Sequence, residues 1–192
     1  GQYASASGYG ASASADSATA VGGTLYYTDP STGEVLLDRN TAASNVGASA
    51  FGAGADASGA LRPATGAVAE GGQSTATGYS STAGADYATA AGGFSEATAN
   101  FSTALGYGTN ASAANATAVG VGAAASGTSA VAVGSSANAS VASGVAVGGS
   151  SQATGTNGTA VGGSSRATGA NTTAVGQFAW ATAVGTTAMG RD

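Results

Sequence analysis

Val131-Ala132-Val133-Gly134-Ser135-Ser136 returns fourteen residues later as Val145-Ala146-Val147-Gly148-Gly149-Ser150. Working outward from this pair, Ala-x-Gly recurs with its glycine at Gly78, Gly92, Gly106, Gly120, Gly134, Gly148, Gly162, Gly176 and Gly190, always 14 residues apart. A fixed period of this kind marks an array whose units bury their faces only against one another. Upstream the tripeptide ends at Gly8, Gly22, Gly52 and Gly66, with intervals of 14, 30, 14 and then 12. The 30 reads as one repeat carrying a 16-residue insertion, and the whole chain as thirteen turns.

Stacking the repeats gives each column a physical role. The position two before the glycine is always Ala, as in Ala20, Ala104 and Ala160, so that site accepts only a methyl. Its neighbours on either side are mostly Thr, Val or larger. Side chains alternate along a strand, so the segment is a strand with one face of Ala and Gly and another of Val and Thr. A second segment has Ala at the fifth position after the glycine, as in Ala13, Ala57, Ala83, Ala125 and Ala167, between mostly polar positions. It reads as a second strand, small inward and polar outward. Two strands per repeat, joined by Gly/Ser/Asn-rich bends and stacked at about 4.8 Å, make an all-β parallel β-roll, a solenoid of 14-residue turns lined with Ala and Gly.

Composition agrees. Ala and Gly supply 84 of 192 residues, whereas Leu, Val and Phe number 23 and Ile is absent. That is about half the roughly 20% expected of an ordinary core. Only 13 residues are charged, for a net charge of -5, so the chain lacks the charge that accompanies disorder. Its four basic residues, Arg39, Arg62, Arg166 and Arg191, form no cluster, which excludes nucleic acid as a partner. With neither Cys nor His, a Cys/His metal site, a thiol nucleophile and a Ser-His-Asp triad are ruled out. No enzyme, cofactor or metal is expected. The chain opens Gly-Gln-Tyr with no signal-like segment, and no run nears 18 apolar residues.

The first strand's outward face is an apolar stripe that a soluble monomer rarely exposes. It predicts side-by-side association through Val21, Phe51, Leu105, Val119, Val131, Val133, Val145, Val147, Val161 and Val175. A closed symmetric oligomer with these faces turned to a common axis buries the stripe most simply.

The segments around Gly134 and Gly148 resemble the Ser-Val-Ala-Ile-Gly-x-x-Ser repeat of YadA-like heads in trimeric autotransporter adhesins, and the likeness covers nearly the whole chain. The resemblance implies that the roll is left-handed and assembled as a homotrimer. It also implies residence on the bacterial cell surface, at the outer membrane, and attachment to a host extracellular-matrix protein or cell-surface receptor. On this reading residues 1–192 are a single head domain, and any membrane tie runs through a C-terminal anchor outside this sequence. No binding residue transfers from the repeat motif.

The 16-residue insertion reads as a β-hairpin over about 24–40, with Asp29-Pro30 opening and Gly33 closing its turn. Long insertions in repeat arrays collect on surfaces, so Tyr26, Tyr27, Asp29, Glu34 and Arg39 are candidate ligand contacts, against a plain packing role for the loop. Ten of the thirteen charges lie between Asp16 and Glu96, which favours recognition in the N-terminal half. Trp180 stands in an outward column near the end and is expected to cover the last turns or meet a following domain. Six Asn-x-Ser/Thr triplets follow from composition alone, and Gly120-x-Gly122-x-x-Ala125 has no helix to hold a phosphate. The alternative function, an ice-binding or purely structural solenoid, is disfavoured because ice needs two regular Thr ranks and the first strand offers one.

Overall fold

The computed structural model describes residues 1–22, 25–28, 35–39, 41–52 and 67–190, without the side chains of 25–28, 35–39 and 68. The chain forms two compact units, Gly1–Ser95 and Glu96–Asp192. Both are parallel β-rolls built from alternating three-residue and two-residue strands.

In the second unit the long strands are Thr103–Leu105, Thr117–Val119, Val131–Val133, Val145–Val147, Thr159–Val161, Thr173–Val175 and Thr187–Met189. Each pairs in parallel with its copy one repeat on, Ala132 opposite Ala146 and Val133 opposite Val147. The short strands Glu96–Ala97, Asn110–Ala111, Ala124–Ala125, Asn138–Ala139, Gln152–Ala153, Arg166–Ala167 and Trp180–Ala181 form a second parallel sheet in the same register. Both inner faces are Ala. Ala104, Ala118, Ala132, Ala146 and Ala160 of one sheet, and Ala111, Ala125, Ala139 and Ala153 of the other, are completely buried.

The bends explain why so small a core suffices. Two residues and nine residues after each repeat glycine the backbone turns left-handed, so that positive φ falls every seventh residue: Ser136, Ser143, Ser150, Asn157, Ser164 and Asn171 have φ between 54° and 56°. This conformation aims each N–H at the turn before: Ser150 N donates to Ser135 O at 2.8 Å, and Asn171 N to Thr156 O at 2.7 Å. Ser, Asn and Gly fill most of these bends, Gly and Asn being the residues that take left-handed backbone most readily, while Tyr87, Phe94, Phe101 and Phe178 hold others at φ between 55° and 60°. The next residue is inward, and where it carries a hydroxyl it closes the bend: Ser151 Oγ donates to Gly148 O and Ser165 Oγ to Gly162 O, both at 2.9 Å. A buried hydroxyl is thereby satisfied within its own turn.

In the first unit the long strands are Ser5–Ser7, Thr19–Val21, Ser49–Phe51, Thr75–Thr77 and Thr89–Ala91. The short ones are Ser12–Ala13, Ala42–Ala43, Val68–Ala69 and Thr82–Ala83. Here the sequence register needs one correction. Ala50 pairs directly with Ala76, so the turn ending at Gly52 is followed in the ladder by the turn ending at Gly78. Among the described residues the long strands number twelve, one fewer than the thirteen turns expected, and none stands between those two turns. The inward short-strand Ala between Gly52 and Gly78 is Ala69, paired with Ala43 and Ala83, in the place expected of Ala57. Ala57 and Gly66 themselves lie outside the described residues. In a chain so rich in Ala and Gly the tripeptide arises by chance, and strand pairing decides which copies count.

The corrected register shows that both insertions interrupt the same bend of consecutive turns. Sixteen extra residues separate Gly22 from Ala42–Ala43, and twelve separate Gly52 from Val68–Ala69, relative to the four-residue step elsewhere. Within the first insertion Leu25–Thr28 and Val35–Arg39 pair antiparallel, with an irregularity between Tyr27 and Thr28.

Candidate functional site

Among the described residues no group of three Asp and Glu side chains is placed to hold a metal. What the roll offers instead is two faces and two edges.

The first face is the outer surface of the long-strand sheet. Every one of the ten residues expected at an interface stands on it, pointing away from the Ala core. Val119, Val133, Val147, Val161 and Val175 stack in register, each opposite the next, and Val131 lies opposite Val145. Leu105 pairs with Val119 in the second unit, and Val21 with Phe51 in the first. In the single chain Val21 and Phe51 are 39% exposed, Leu105 37% and Val175 36%, while Val119, Val131, Val133, Val145, Val147 and Val161 are half-buried by their ladder neighbours. The second unit thus carries a continuous apolar ladder from Leu105 to Met189, whereas in the first unit Val21 and Phe51 stand between Ser7 and Thr77.

The second face is the outer surface of the short-strand sheet, and it is polar. Asn110 Nδ2 donates to Glu96 Oε2 at 3.2 Å, and the Arg166 guanidinium lies 5.1 Å from the centre of the Trp180 ring. Trp180 is 56% exposed. It leans on Arg166 and does not cover the last turn, because its column stands outward from the roll. Along the bend edges Tyr79 and Phe94 meet edge to face at 5.1 Å. Asp16 and Asp86 work structurally there, accepting from the N–H of Gln2 at 2.6 Å and of Gly72 at 2.7 Å.

Of the candidate ligand contacts in the insertion, Tyr26 lies opposite Asp38, Tyr27 opposite Leu37, and Arg39 opposite Leu25. Asp29 and Glu34 lie outside the described residues. The bend hydroxyls and the left-handed seven-residue rhythm escaped the column reading, although Ser or Thr at the third position after the glycine, as in Ser81, Ser95, Ser151 and Ser165, was a visible signal.

The period, the Ala-x-Gly ladder and the apolar outer stripe coincide with a known family model, the YadA head domain repeat. It matches residues 1–23, 69–95, 83–109, 97–123, 125–151, 142–165 and 167–192, well over half the chain. The chain belongs to the YadA head domain repeat family. The segments it leaves unmatched, 24–68 above all, are those holding the two insertions, so the family pattern breaks where the ladder is interrupted. Among solved structures this YadA head resembles the collagen-binding domain of the Yersinia adhesin YadA, with 26% identity and a TM-score of 0.52 over 77% of this chain and 83% of that one. None of the curated proteins compared with it matches.

Proposed function

We propose that the chain is the head of a trimeric adhesin on the surface of a bacterium, attaching the cell to a host extracellular-matrix protein or receptor without catalysis. The observation that carries this reading is the likeness, over most of both chains, to a domain described as collagen-binding in a bacterial adhesin. Residues 1–192 form one head, and the outer membrane anchor belongs to another part of the same protein.

In this reading the face that carries the ten Val, Leu and Phe residues turns to a three-fold axis. A stripe of valines stacked at strand spacing is expensive to leave in water, each being worth about 1.5 to 3 kcal/mol when fully buried. A core of methyl groups has little surplus to offset that exposure. Recognition falls to surfaces away from the axis, with Tyr26, Tyr27, Asp29, Glu34 and Arg39 of the first insertion as contacts. Sedimentation equilibrium on the chain, followed by binding to immobilised matrix proteins including collagen, tests both halves. A mass near three times 17.4 kDa with saturable binding supports the reading, and a monomer that binds none of them refutes it.

A further inference from the structure

In the second unit each short strand presents two outward positions, four and six residues after the repeat glycine, on one face of the sheet. The sixth position is a hydroxyl in every turn, running from Thr98 through Ser112, Ser126, Ser140 and Thr154 to Thr182, and all of these are exposed. The backbone holds the rank in place: Ser126 N donates to Ala139 O at 3.0 Å and Thr154 N to Ala167 O at 3.0 Å. Neighbouring hydroxyls are therefore about 4.8 Å apart, one per turn. Inward hydroxyls such as those of Ser151 and Ser165 are consumed by their own bends, whereas among the described residues those of the outward rank make no hydrogen bond within the chain.

Beside this rank run the amides of Asn110, Asn138 and Gln152. Asn138 is half-buried in the middle of the face, with its Oδ1 turned in from the surface. On the same face Glu96 stands at one end, accepting from Asn110 Nδ2, and Arg166 lies towards the other, against the exposed ring of Trp180. Between them, from Ser112 to Thr154, the face is uncharged and bears unspent hydroxyls at a constant repeat, and beyond Arg166 it ends in an aromatic plate.

We propose that this face docks an uncharged polysaccharide laid along the hydroxyl rank. The proposal rests on the adhesin reading and names a ligand class for it. Three features favour this occupant. A ligand that meets the same hydroxyl turn after turn must itself repeat, as a polysaccharide does and the surface of a folded protein does not. A protein interface needs a buried centre of large apolar anchors, and here Trp180 is the one such side chain, at an extremity. Sugar hydroxyls match Ser, Thr, Asn and Gln as both donors and acceptors, and sugar rings stack on Trp. Individually weak contacts then accumulate along the array. Ice is the poorer occupant, because the neighbouring column of Asn110, Ala124, Asn138 and Gln152 gives no second regular rank.

The test is affinity electrophoresis of the chain through gels containing mannan, xylan or dextran, with heparin as a charged comparison. Retardation by at least one uncharged polymer, unchanged from low to high salt, is expected, since no ion pairs are involved. The combined variant Ser126→Ala/Ser140→Ala/Thr154→Ala, and separately Trp180→Ala, should each weaken it at least tenfold while melting as the parent chain does. Should Trp180→Ala fail to fold, the triple variant, which removes only exposed hydroxyls, still decides. No retardation by any of the three polymers, loss of retardation in salt, or full retardation of both folded variants overturns the proposal. Attachment to immobilised matrix protein that survives both variants, without polysaccharide binding, removes this proposal and leaves the adhesin reading standing.

Discussion

Gly134 stands so close beneath Gly148 that a β-carbon on Gly134 would lie 2.6 Å from both the carbonyl carbon and the carbonyl oxygen of Gly148. Its φ of 131° lies in a region that side-chain-bearing residues rarely occupy, so two independent constraints coincide at one position. Gly134→Ala is accordingly expected to destabilise the fold by on the order of 3 kcal/mol or more, read as a drop in the denaturation midpoint. Ser136→Gly, two residues on at φ 55°, is the control: that backbone suits Gly equally well, so its midpoint should hold to within about 0.5 kcal/mol. Equal effects of the two changes would show that stacking against Gly148 is not what fixes the glycine.

Ala146 is wholly buried between the two sheets, in register with Ala132 and Ala160. The neighbouring turns are locked by backbone bonds of 2.7 to 2.9 Å, such as Gly148 N to Val133 O and Val145 N to Gly158 O, and cannot move apart to admit a larger group. Ala146→Val should therefore cost about 1 to 3 kcal/mol by overpacking, and Ala146→Leu should disrupt the roll locally. Exposed Ser112 is the comparison, since Ser112→Val adds a β-branched side chain to open space. Thermal melts of the three variants check the ordering.

Ser151 tests the bend. Its Oγ–H to Gly148 O bond is net-favourable by roughly 1 kcal/mol in such settings. Ala123 and Ala137 occupy the equivalent position in other turns, showing that the carbonyl survives without a hydroxyl partner. Ser151→Ala should consequently lower stability by about 0.5 to 1.5 kcal/mol and leave the fold intact, measured by chemical denaturation. A larger loss would mean that the hydroxyl organises more than its own bend.

How much of this was legible in the sequence follows from what each column demands. Ala132 and Gly134 admit one residue type because backbone crowds them, so their columns are invariant and the period declares itself. Val133 and Val147 alternate with Ala along the long strands, so their outward direction was legible as well. The bend residues were not, because Ser, Asn, Gln, Phe, Tyr and Gly all occupy the same left-handed geometry, and a rhythm of seven hides behind six residue types. The false rung at Gly66 shows the opposite failure: Ala64-Thr65-Gly66 has the right letters, but the hydrogen bonds run from Phe51 O to Gly78 N and pass it by. The outward hydroxyl rank of the short strands went unread for a third reason, since a polar outward column tolerates many residues and its regularity is visible only when the turns are stacked.

Val147 sits in the middle of the apolar ladder, half-buried and flanked by Val133 and Val161. If three such ladders meet at an axis, Val147→Asp sets three carboxylates close together in an apolar seam; the chain has no Lys at all, and among the described residues no Arg lies on that face to pair them. Unpaired charge in such a seam costs several kcal/mol, more than one turn's contacts return. The expected outcome is a parent chain sedimenting at three times 17.4 kDa and a variant sedimenting at 17.4 kDa with β-sheet circular dichroism retained. Ser140→Asp on the opposite sheet places the same charge in solvent and should leave the mass unchanged. A Val147→Asp chain with the parent's mass and melting temperature would show that the valine ladder faces water in the assembled protein, and the axis would have to be sought along one of the bend edges.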